Sequence, residues 1–139
     1  MTARSTVVAY WDTSAIVAVL FSDEHSAEAT QIARSAGTHL ISSLAWAETH
    51  AVIARIERER FLAATLVEAS RETLSVGPWQ RINVTPAWHA VDTLARAWPL
   101  RGADLWHLAT AKAVQMELPE LMMVTFDNRL AAAARSEGL

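Results

Sequence analysis

Four acidic side chains stand where a folded chain could gather them: Asp12, Glu48, Asp104 and Asp127. Each has an ordinary explanation. Asp12, Asp104 and Asp127 all stand where a helix is expected to begin. A carboxylate there accepts from unpaired N–H groups and meets the positive end of the helix dipole. Glu48 is harder to dismiss. Its helical neighbours three and four positions away are Leu44, Ala45, Ala51 and Val52. That places it on an apolar stripe, where a carboxylate must be paired, protonated or bound to a cation. An ion pair with Arg55, seven residues on, is the plain structural alternative. Asp104 shares its helix face with His107, Leu108 and Ala111, so that face is mostly apolar too.

Gathered together, these groups repel. Two carboxylates at about 5 Å cost on the order of 3 kcal/mol at an effective dielectric of about 20. The cluster is tenable with a cation between its members or with raised pKa values. Oxygen donors and a chain without cysteine favour a hard ion, Mg²⁺ or Mn²⁺. Carboxylates can hold such an ion and orient one water for in-line attack on a phosphodiester. All four acids are candidate catalytic residues, with Asp12, Asp104 and Asp127 as candidate ligands. Thr13 and Ser14 read either as capping residues or as hydrogen-bond partners of Asp12 and of a water on the ion. His107 reads as a packed histidine behind the acids rather than a ligand. Asn128 reads as a helix cap, and Arg101 as a solvated side chain or a phosphate contact. His25, His39, His50 and His89 show no usable spacing.

The elements that must position these residues follow from periodicity. Val7 to Trp11 is a short β-branched run, a buried strand, followed by a helix over Ala15 to Phe21. A second helix is expected over Glu24 to Ser35, ended by Gly37, and a second strand over His39 to Ser42. Leu44 to Arg58 and Arg60 to Thr73 read as helices, and Gly77-Pro78 breaks the chain. A third strand is expected over Arg81 to Val84. Pro86 suits the first turn of a helix to Trp98, which Pro99 ends. A further helix is expected from about Asp104 to Glu117, a fourth strand over Leu121 to Phe126, and a last helix over Asn128 to Glu137. Strands alternating with helices imply right-handed crossovers and a parallel sheet covered on both faces. Ligands of such sheets sit at the carboxyl ends of the strands, where Asp12 and Asp127 lie.

Composition narrows the classes. The chain has 139 residues, the size of a single domain (1–139), with 52% hydrophobic and 19% charged residues, which argues against disorder. A formal charge of −3 excludes a protein that coats nucleic acid by bulk charge, so any action on it must be local. The absence of cysteine suits a reducing cytoplasm. The segment from Met1 to Thr6 has no apolar core, so no signal peptide is expected, and no apolar run approaches the roughly 18 residues of a membrane helix. Six tryptophans and a mean hydropathy of +0.15 suit either a Trp-rich core or apolar surface covered by another chain.

The segments carrying the acids also form an ordered set. Val8 to Val17 contains Asp12-Thr-Ser14; Ser42 to Ala51 contains Glu48; Leu100 to Ala111 contains Arg101-Gly-Ala-Asp104; Val124 to Ala134 contains Thr125-Phe-Asp127. In order and content this set resembles PIN domains, and the resemblance spans nearly the whole chain. It implies a three-layer α/β/α sandwich with a short parallel sheet. It also implies endoribonuclease activity dependent on Mg²⁺ or Mn²⁺. Single-domain bacterial members of this length resemble VapC-type toxins, which implies an RNA substrate, a cognate antitoxin protein and a homodimer. Trp11 is bulkier than the aliphatic residue usual before the first acid, and Trp46 and Trp106 flank other acidic segments. They read either as core packing or as a platform for stacking bases. Two rival functions remain at this level. An aspartyl phosphotransferase would want a second Asp where Ser14 stands. An inactive binding module would have lost an acid, and none is lost.

Overall fold

In a computed structural model, residues 6–139 are described. Residues 1–5, most of the segment expected to lack a signal peptide, lie outside the described residues. Eleven elements follow one another: β1 (Val7–Trp11), α1 (Thr13–Leu20), α2 (Ser26–Ala33), β2 (Gly37–Ser42), α3 (Ser43–Arg58), α4 (Ala64–Val76), β3 (Trp79–Ile82), α5 (Trp88–Ala97), α6 (Gly102–Glu117), β4 (Met122–Val124) and α7 (Asn128–Ser136).

The four strands are parallel in the order β3-β2-β1-β4. Side chains of a strand alternate between faces, and two cores result. Tyr10, Leu40 and Met123 point to one face and pack with Leu94, Leu108 and Leu130 of α5, α6 and α7. Ala9, Trp11, Ile41 and Val124 point to the other and pack with Ile16, Ile53 and Val67 of α1, α3 and α4. The result is the expected α/β/α sandwich. The helices carry matching stripes: α3 buries Ala45, Thr49 and Ile53, one per turn. Trp11 is fully buried in this core and T-stacked on Trp79 at 5.6 Å.

Several boundaries depart from the sequence expectation. Gly37 does not end α2. Its φ of 140° opens β2, and a Cβ there would collide with the Val7 backbone. The helix expected from Arg60 begins at Ala64, because Arg60 takes a left-handed φ of 55° that no helix interior allows. β3 lies two residues earlier than expected, at Trp79–Ile82, where Trp79 can bury its indole. Pro86 precedes α5 rather than opening it, α6 starts already at Gly102, and β4 is only Met122–Val124. Among the described residues, no helix is long and apolar enough to cross a membrane.

Candidate functional site

The chain leaves β1 to pair β2 on one side and β4 on the other, so β1 and β4 flank the point where strand order reverses. A crevice opens at the carboxyl ends of strands at such a point. The Asp12 N–H donates to the Val124 carbonyl at 3.1 Å, which joins the two strand ends.

Asp12 is 2% exposed. Its Oδ1 accepts from Ser14 Oγ (2.7 Å) and from the Ala15 N–H (3.0 Å), and its Oδ2 from Thr125 Oγ1 (2.5 Å). It therefore does what a helix N-cap does for α1. Burial pushes its carboxyl above the ordinary range, against the pull of the Thr125, Ala15 and Ser14 hydrogen bonds. Thr125 Oγ1 also accepts from the Asp127 N–H at 3.1 Å, and Ser14 Oγ from the Phe126 N–H at 3.1 Å. Asp127 caps α7 through Oδ1, which accepts from the Leu130 N–H at 2.9 Å. Asn128, expected as that cap, is instead the first helical residue, because the preceding Asp127 already has the extended backbone a cap needs.

Glu48 lies beside the buried stripe of α3 rather than on it, with its side chain 35% exposed. Its Oε1 accepts from Thr13 Oγ1 at 2.8 Å and lies 3.2 Å from His107 Nε2. Arg55 is exposed and makes no ion pair with Glu48, so the alternative partner is His107. His107, 1% exposed, has its Nδ1 2.8 Å from the Tyr10 hydroxyl. A carboxylate only accepts, so Nε2 donates to Glu48, and in the tautomer with its proton on Nε2 the Nδ1 atom accepts from Tyr10. Burial, above all, keeps the Tyr10 hydroxyl protonated. Tyr10, on one face of the sheet, thus steadies a histidine of α6 that holds a glutamate of α3 from the other face.

Asp104 sits in the first turn of α6 and is only partly buried. Its carboxyl is raised above its ordinary value, by desolvation first and then by the charges of Asp127 and Asp12, with Glu48 a smaller contributor and His107 opposing. Thr125 ties Asp12 to the Asp127 N–H, which brings those two acids to the same strand ends. A cavity of about 430 Å³ is lined by Arg101, Asp104, Phe126, Asp127, Asn128 and Arg129, among others. Arg101 is exposed at its mouth.

Whether a divalent cation suits this site turns on which oxygens are open. Among the described residues, no three His, Asp or Glu side chains are arranged so that together they could hold a metal ion. Asp12 has both oxygens engaged. Asp104, Asp127 Oδ2 and Glu48 Oε2 accept no hydrogen bond among the described residues. Mg²⁺ keeps several waters and needs only one or two direct carboxylates, and a cation would reverse the repulsion felt at Asp104. The donor set fits a hydrated hard ion.

Tyr10 and Thr125 went unnoticed in the sequence. Thr125, two residues before Asp127, was legible as a strand-end hydroxyl. Tyr10 lies within an apolar run and carried no signal, because its role depends on a partner 97 residues away.

The family model of the PIN domain matches residues 9–136. Ribonuclease VapC45 of Mycobacterium tuberculosis (strain CDC 1551 / Oshkosh) is 35% identical over 133 residues, which cover 93% of this chain and 90% of that protein. Ribonuclease VapC49 of Mycobacterium tuberculosis (strain ATCC 25618 / H37Rv) matches with the same identity and coverage. The crystal structure of PAE2754 from Pyrobaculum aerophilum superposes with a TM-score of 0.59 at 20% identity, covering 93% of this chain and 86% of that one, a likeness of fold.

Proposed function

This chain belongs to the PIN-domain family, and from that premise we propose that it is a metal-dependent endoribonuclease, the toxin of a toxin–antitoxin pair. The observation that carries the reading is geometric: Asp104 and Asp127 line one cavity at the reversal of strand order, and Thr125 ties the buried Asp12 to the Asp127 backbone. The ribonuclease names of the two relatives support the substrate class.

Asp104 and Asp127 would hold Mg²⁺ or Mn²⁺ through their open oxygens, and Asp12 would add its negative charge. The ion would neutralise charge on the scissile phosphodiester and acidify water beside it. Thr125 and Ser14 hold Asp12 in place and tie it to the backbone of the Asp127 segment. Glu48, held at one oxygen by Thr13 and His107, presents the other to a water and takes its proton during attack. Arg101 and Arg129, at the cavity wall, supply cations for phosphates that the acids would repel. A cognate antitoxin, a homodimer and a cytoplasmic setting complete the proposal.

The test is incubation of total cellular RNA with the protein and Mg²⁺ or Mn²⁺, followed by mapping of the new ends. Cleavage is expected to vanish with EDTA and in Asp12→Asn. Cleavage that survives both would reject the metal mechanism.

A further inference from the structure

The same carboxyl edge of the sheet continues past the acids to β2 and the edge strand β3. There Ser42, Ser43, Trp46, Arg81, Ile82 and Asn83 line a separate cavity of about 220 Å³. Ser42 and Ile82 are the paired last residues of their strands. The Arg81 guanidinium lies 4.1 Å from the centre of the Trp46 ring. His50 packs against the same indole at 4.6 Å with planes 67° apart, which fixes its orientation. Arg81 and Asn83 are exposed. Among the described residues Arg81 forms no ion pair, and the Asn83 amide no hydrogen bond.

From this arrangement we infer that the Trp46–Arg81 cavity is a subsite for one unpaired nucleotide of a single-stranded RNA whose backbone runs on to the acids. The guanidinium lies over the indole at 4.1 Å from its centre while Arg81 as a whole is exposed, so the pair can offer a base a surface to stack on. Arginine planes and aromatic rings stack bases without needing a particular sequence. Asn83 offers an amide donor and acceptor to a base edge. Charge argues for the same occupant. Acids at the neighbouring site repel a polyanion, so cations and stacking further along the strand add to what Arg101 and Arg129 supply there. Arg81 is a cation with no ion-pair partner among the described residues, set two strand spacings from β1, on the order of 10 Å. A duplex would not fit this geometry, since its bases are already stacked on one another.

The inference rests on the nuclease reading of the acids, and the experiment separates the two. Fluorescence anisotropy of a labelled single-stranded RNA of about ten nucleotides is measured with full-length Asp104→Asn protein, which leaves the RNA intact. Adding Arg81→Ala or Trp46→Ala is expected to weaken binding about tenfold. Arg81→Lys keeps the charge but not the plane and is expected to recover only a small part of the loss. In the otherwise native chain the same changes raise KM on this RNA and leave kcat, while cleavage of a dinucleotide too short to span both sites is unchanged. Arg81 is exposed, so its variants carry the test if Trp46→Ala fails to fold. Alanine variants within about twofold of the parent affinity, or full affinity in Arg81→Lys, would overturn the inference and leave the cavity to a protein partner. If the native chain cuts no RNA yet the binding losses appear, the nuclease reading fails and this subsite stands.

Discussion

Asp104→Asn should stabilise the metal-free protein while removing its activity. Asp104 makes no hydrogen bond among the described residues, so the substitution breaks none, and the amide is nearly the same shape. It removes one charge from the neighbourhood of Asp127, Asp12 and Glu48. Asp104 is partly exposed, so water and salt screen each repulsion to a few tenths of a kcal/mol. Three of them sum to about 1 kcal/mol, which for a chain of this length raises Tm by about 3 °C. The pH dependence fixes the sign. The folded carboxyl titrates above its ordinary value of 3.8, so ionisation is harder in the folded state than in the unfolded one. The advantage of the variant is therefore absent below 3.8, grows as pH rises through the raised folded value, and is constant above it. Thermal unfolding by circular dichroism in EDTA at low salt measures this, and the gain should shrink at high salt. Adding Mg²⁺ or Mn²⁺ should then raise the Tm of the native chain more than that of the variant, because ligand binding stabilises only a competent site. A variant less stable than the native chain in EDTA at neutral pH, or equally stabilised by metal, would refute the argument that these acids share one cation site.

Expression of the native chain in bacteria without a partner should arrest growth, and Asp104→Asn should relieve it; undiminished arrest by the variant would favour a binding role. Tyr10→Phe leaves His107 Nδ1 buried without a donor, so urea unfolding should show a loss of about 1–2 kcal/mol, and steady-state kinetics about a tenfold lower kcat with KM little changed. Gly37→Ala forces a Cβ into the Val7 backbone at a φ of 140°, and should cost on the order of 3 kcal/mol in the same assay. Leu108→Ala empties a fully buried position between α6 and the sheet and should cost about 3 kcal/mol.

Local signals carried much of the fold. The β-branched run before Asp12 and the apolar stripe of α6 report their own environment, because strand and helix periods put alternate or every third or fourth side chain inside. Boundaries were less legible where a single backbone angle decided them. Gly37 looks the same at a helix end and at a strand start, and Arg60 gives no sign that it will take a left-handed turn.

By itself, then, the sequence determined the alternation of strands and helices, and with it the parallel sheet. It also determined which acids would stand at strand and helix ends, since those positions follow from nearby residues. Only the tertiary structure decided what the acids touch. Glu48 was read as seated on an apolar stripe beside Arg55, yet it turns to Thr13 and to His107, 59 residues away. Asp12 keeps its capping bonds and gains Thr125, the residue just past β4, 113 residues further on. Partners so distant meet only because β4 pairs with β1 and the two helical layers close over one sheet edge. No local pattern encodes a contact made across that edge, because its geometry exists only once the strands have docked.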